Sequence, residues 1–148
     1  MSGITDIQII SRLLISVLLS SLIGFERELR GRAAGLRTHI LVGLSACLLM
    51  LVSIFVAQGV VKEHIFDIGR IAASVVSGVG FLCAGAIIRF GASVRGLTTA
   101  ASLWAVAAVG LAVGIGFYTA ACASTALILI TLFLLSRFEK NKNISRTK

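Results

Sequence analysis

The sequence predicts an all-α membrane protein, a bundle of five transmembrane helices with its N-terminus outside and its C-terminus in the cytoplasm. Three observations carry that reading. Of the 148 residues, 57% are hydrophobic and 14% charged, with a mean hydropathy of +1.03; soluble domains carry about 25% charged residues. Windows of about 19 residues isolate five apolar segments, 7–25, 38–57, 71–88, 98–115 and 117–136. Each approaches the roughly 20 residues that cross the hydrocarbon of a bilayer. The basic residues also segregate. With the N-terminus outside, eleven of the fourteen Lys and Arg fall on the inner side, leaving Arg12, Lys62 and Arg70 outside. That asymmetry is the positive-inside pattern.

The segments divide the chain into a transmembrane domain, residues 1–136, and a basic cytoplasmic tail, residues 137–148. The spans leave too few residues for a second domain. Residues 1–6 lack a basic n-region and no small-residue cleavage site follows the first apolar run, so that run reads as a retained anchor. The net charge of +8 is mostly a topology signal, with some attraction to anionic lipid. Nucleic-acid binding is not expected, because the basic residues are dispersed and lack an aromatic reading surface.

The first span carries Arg12 close to its outer end. An ionised group there either snorkels to the interface or pairs with an acid on the same side. Asp6, Glu63 and Asp67 are the available acids. Beyond the span comes the stretch 24–39, which holds six of the chain's twenty charged residues. Glu26/Arg30 and Glu28/Arg32 each place an acid four residues before a base, the favoured helical order. The pairs fall on nearly opposite faces, so the helix is expected to run out of lipid until Gly31 and Gly35 loosen it. A solvated hinge with basic anchors and a functional polar site both fit this pattern.

The second span is Leu-rich and ends in an outer loop, 58–69, with Lys62, Glu63, His64 and Asp67. Asp67 reads as an N-cap for the third span, with Arg70 in reach of a local ion pair. The third span has the smallest side chains of the five. Ser74/Gly78 and Gly80/Ala84, followed by Gly85, have the four-residue spacing that lets helix backbones approach, so this helix is expected at the bundle centre. A second inner turn, 89–99, leads to a fourth span that opens with Thr98, Thr99 and Ser102 and carries Gly110 and Gly114. The fifth span is uniformly apolar. Cys47, Cys83 and Cys122 lie within spans without CxxC spacing and read as packing residues. No cofactor or metal site is expected.

A 61-residue shift lays Gly24, Gly35, Leu36, Thr38 and Ala46 on Gly85, Gly96, Leu97, Thr99 and Ala107. The two inner turns are therefore expected to approach one another. Desolvation predicts two charged layers: an inner one of Glu26, Arg27, Glu28 and Arg37 facing the 95–99 turn, and an outer one of Arg12, Asp67 and Arg70. Removing one partner of a buried pair costs about 3 to 5 kcal/mol.

Gly24-Phe25-Glu26-Arg27-Glu28 followed by Gly31-Arg32-Ala33-Ala34-Gly35-Leu36-Arg37-Thr38-His39 resembles the MgtC/SapB family of bacterial membrane proteins. The likeness continues through Asp67 and Arg70, Ser77-Gly78-Val79-Gly80-Phe81-Leu82, Gly85-Ala86-Ile87-Ile88, and the run from Val94 to Trp104. The resemblance implies a five-helix domain of the cytoplasmic membrane and a link to growth in low magnesium, survival in macrophages and restraint of the proton-driven ATP synthase. It singles out Glu26, Arg27, Glu28, Arg37, Asp67, Arg70 and Thr98 as polar positions of interest. Ile68 stands where the family often has proline, Ser74 where it has glutamine and Cys83 where it has glycine. Longer members carry a cytosolic domain after the fifth helix, whereas twelve residues follow it here.

Two functions fit. One is a regulatory module, linked to magnesium limitation and stress, that binds a membrane-protein partner. The other is an oligomeric transporter or channel for a cation or small solute, since five helices make a thin bundle. An enzyme is not expected, for want of a nucleophile–His–acid set, a phosphate-cradling loop or a metal cluster.

Overall fold

The computed structural model describes residues 4–60, 67–90 and 93–144. Lys62, Glu63, His64, Arg146 and Lys148 lie outside the described residues. Five helices follow one another: α1 (Asp6–Leu29), α2 (Leu36–Val60), α3 (Gly69–Ala86), α4 (Leu97–Ile115) and α5 (Tyr118–Ile144). Between α3 and α4 sits a two-stranded antiparallel hairpin, β1 (Ile88–Phe90) and β2 (Ser93–Arg95), in which Ile88 pairs with Arg95. The helical architecture is as expected, and the hairpin is an addition to it. Among the described residues four helices, α1 to α4, are long and apolar enough to cross a membrane, and α5 is apolar over at least Tyr118–Leu134. The basic segment read as a tail is helical as far as Ile144, continuing α5.

Local chemistry explains the breaks. Gly31 takes a left-handed φ of +60° and turns the chain out of α1 two residues past its end. Gly96 takes φ +90° at the start of α4, and a Cβ there would run into the Ala86 carbonyl. Only glycine meets both demands at low cost. Asp67 Oδ1 accepts the Gly69 amide at 2.8 Å, satisfying a free donor at the start of α3,.

The centre of the bundle is α4, not α3. In α4, 61% of the apolar window is buried, against 17% in α3. The physical reason lies in where glycine meets backbone. A Cβ on Gly110 would overlap the Gly43 carbonyl of α2, and one on Gly114 would lie 2.6 Å from Met50 Cβ. A Cβ on Gly78, Gly80 or Gly85 of α3 would meet nothing within 4 Å. The small residues of α3, Ser74 and Ala84 among them, thus face outward, and the close packing expected of them is done by α2 and α4. Two apolar clusters fill the interior. Ala46, Met50, Val75, Val79, Cys83, Leu103, Ala107 and Leu111 join α2, α3 and α4. Leu19, Cys47, Leu51, Val109, Val113 and Ala121 join α1, α2, α4 and α5.

Candidate functional site: a buried polar junction of α1, α2 and α4

The buried face of α1 is built from Ser16, Leu19, Ser20, Ile23, Gly24 and Arg27. Steps of three and four residues keep such a row on one side of a helix. With Arg12 one turn earlier, it forms a polar seam along an otherwise apolar helix. Ser16 Oγ donates to the Gly43 carbonyl at 2.9 Å. Ser20 Oγ is buried without a hydrogen-bond partner, against Gly43, whose missing side chain leaves room for it.

At one end of the seam, Arg12 Nη1 donates to the Gly114 carbonyl at 2.8 Å. Its guanidinium lies across the C-terminus of α4, where unsatisfied carbonyls and the helix dipole favour a cation. This corrects the expected outer cluster. Among the described residues Arg12, Asp67 and Arg70 form no ion pair: Arg12 caps α4, Asp67 accepts the Gly69 amide from one residue ahead of Ile68, which is the N-cap of α3 in place of the expected Asp67, and Arg70 is exposed. Both contacts satisfy backbone groups that ion pairing would have left open.

The other end is the denser one. Arg27 is 1% exposed and its Nε and Nη2 both meet Glu26 Oε2 at 2.5 Å. Arg30 pairs with Glu26 Oε1 and lies over the Phe133 ring of α5, 5.5 Å from its centroid. A carboxylate between two guanidiniums compensates the buried Arg27. The expected Glu26/Arg30 pair is therefore present. Glu28/Arg32 is not, because α1 ends at Leu29 and Glu28 Oε2 instead accepts the Leu36 amide at 2.7 Å, at the start of α2. Arg37 and Thr98 are exposed and stand outside this bonded cluster.

His39 is the residue that sequence reasoning missed. It is fully buried, with its Cβ packed where a side chain on Gly24 would be. Its Nδ1 lies 2.8 Å from the Gly35 carbonyl and its Nε2 3.0 Å from Ser102 Oγ of α4. Ser102 Oγ in turn lies 2.8 Å from the Thr99 carbonyl. The starts of α2 and α4 are thereby tied together, as the internal echo predicts. One signal for the seam was in the sequence: Arg12, Ser16 and Ser20 recur every four residues in an apolar helix. Nothing local marked His39 or Ser102 as partners, since 63 residues separate them. Among the described residues, no group of three or more His, Cys, Asp or Glu side chains is placed to hold a metal.

Comparison with known proteins places this geometry in context. The MgtC family profile matches residues 13–141, which reaches into all five helices and covers the buried junction from Ser16 onward. The chain belongs to the MgtC family. It is 46% identical over 126 residues to MgtC of Salmonella typhimurium strain LT2, covering 85% of this chain and 52% of that relative. It is 42% identical over 135 residues to SapB of Bacillus subtilis, covering 89% and 58%. To YhiD of Escherichia coli K12 it is 41% identical over 127 residues, covering 84% and 59%. The chain thus spans between half and three-fifths of the length of these curated relatives. No solved structure matches it. Membership of the MgtC/SapB family, with several helices able to cross a bilayer, makes it a multi-pass protein of the bacterial cytoplasmic membrane.

Proposed function

We propose that this MgtC-family chain is a regulatory membrane module that acts by lateral association with another membrane protein, under magnesium limitation or related stress. In this reading all five helices cross the membrane, with the N-terminus outside. One observation carries it. The small residues of α3, Ser74, Gly78 and Gly85 along one side and Gly80 and Ala84 along another, are left open by the chain's own packing. Beside them, α2 and α3 bound an apolar groove of about 450 Å³ lined by Leu41, Ser45, Leu49, Ser74, Gly78 and Leu82. Glycine-rich faces admit close helix–helix contact, which drives association where no hydrophobic effect operates.

The test is substitution at positions that support nothing inside the chain. Gly78→Leu and Gly80→Leu are expected to accumulate at the wild-type level and to lose activity in a low-magnesium growth assay. Reduced membrane abundance, or full growth in both variants, would overturn the reading.

The buried seam favours a second reading, transport of a cation or small solute by an oligomer. Polar and ionisable groups inside membrane segments are uncommon without a functional role, and Ser20, Arg27 and His39 line one interface. Purified protein in liposomes distinguishes the two: regulation predicts no cation flux above protein-free vesicles, whereas transport predicts flux that Glu26→Gln abolishes.

A further inference from the structure

We infer that His39 is a proton-binding site, and that the Ser102 hydroxyl changes partner with its protonation state. This goes beyond the proposed regulatory role and does not depend on it. A carbonyl oxygen only accepts, so the 2.8 Å contact to Gly35 O places a proton on Nδ1,. Ser102 has a single hydroxyl hydrogen and two acceptors within reach: Thr99 O at 2.8 Å and, when the ring is neutral, Nε2 at 3.0 Å.

In the neutral ring the hydroxyl satisfies one of these and leaves the other. Donation to Thr99 sets the Nε2 lone pair against the oxygen of Ser102. Donation to Nε2 gives up the bond to Thr99. Adding a proton at Nε2 removes the conflict: Nδ1–H donates to Gly35, Nε2–H donates to Ser102, and Ser102 donates to Thr99. All three contacts are then hydrogen bonds, and the two made by the charged ring are of the stronger, charge-assisted kind. The proton comes from water and leaves to water, with no other bond changed.

The charged groups near the ring come from α1, Arg27 and Glu26, ion-paired to one another. The described α4 sequence, Leu97–Ile115, contains no titratable side chain and contributes hydroxyls alone. On α2 the nearest charged residue is Arg37, which is exposed. The switch therefore acts where α2 and α4 are joined, and turns proton uptake into a change of hydrogen bonding within the first turns of the central helix.

The chain has two histidines, His39 and His64, so His64→Gln leaves one signal. Protein labelled with ¹⁵N-histidine, in lipid nanodiscs, is titrated from about pH 4.5 to 8.5, the range over which histidine charge responds to its surroundings. The expected result is a single reversible transition, from an imidazolium to a neutral ring protonated at Nδ1, the less common tautomer of free histidine. A neutral ring protonated at Nε2, or no transition across the range, would overturn the inference. Adding Ser102→Ala is expected to weaken proton binding at least about threefold, because the charged ring loses its Nε2 acceptor. An unchanged midpoint in folded Ser102→Ala protein would remove Ser102 from the switch. If that variant does not fold, the tautomer of the His64→Gln protein decides.

Discussion

At the scale of single residues, charge compensation separates the two ends of the seam. Arg27 is buried and depends on Glu26, so Glu26→Gln leaves a guanidinium without its counter-charge, at a cost of about 3 to 5 kcal/mol. Reduced membrane abundance and a lower unfolding temperature are expected, followed by fluorescence-detected size exclusion. Asp67→Asn is expected to change both little, since Asn keeps the oxygen that accepts the Gly69 amide and forms such turns as Asp does,. The two carboxylates, alike on sequence grounds, thus part company. Arg12→Met removes a charge-assisted bond to the Gly114 carbonyl, an interaction worth about 1.5 to 3 kcal/mol,. Its unfolding temperature is expected to fall, whereas Arg37→Met, changing an exposed side chain, is expected to leave it in place.

At the scale of elements, the central question is which glycines hold helices together. Small residues at four-residue spacing occur in both α3 and α4, and spacing alone does not tell a packed face from an open one. The separating fact is what each missing Cβ would touch: backbone and Met50 for Gly110 and Gly114, open space for Gly78, Gly80 and Gly85. Gly114→Leu is therefore expected to abolish folded protein, because overpacking at a backbone contact has no rotamer to escape into. Gly78→Leu is expected to be neutral for folding, and equal membrane abundance of the two variants would contradict this assignment. The same distinction removes α3's small residues from internal packing and, in the proposed reading, makes them the surface offered to a partner. At the other end of the chain, the helical continuation of α5 to Ile144 carries basic residues that composition alone assigns to a tail. The apolar run itself gives way at Ser136 and Arg137, so the hydrophobic boundary was legible although the helical boundary was not.

At the scale of the whole molecule, topology is the remaining variable of the proposed reading. A reporter fused after Lys148 is expected to report cytoplasmic, and one inserted at residue 60 external; cytoplasmic labelling at residue 60 would overturn the five-span arrangement. The sequence by itself determined the helical membrane class, the approximate helix limits, the family and the chemistry of the charged stretch. Each of these rests on local quantities: apolar run length, basic-residue asymmetry, helix-breaking glycines and acid–base spacing. The tertiary structure decided which helix is central, that Arg12 caps α4 rather than meeting Asp67, and that Glu28 serves the start of α2. It also brought His39 onto Ser102, a contact with no signal in either segment alone. The physical reason is common to all four. A buried polar group must find a partner, and where several partners are chemically adequate, helix packing selects the one within 3 Å.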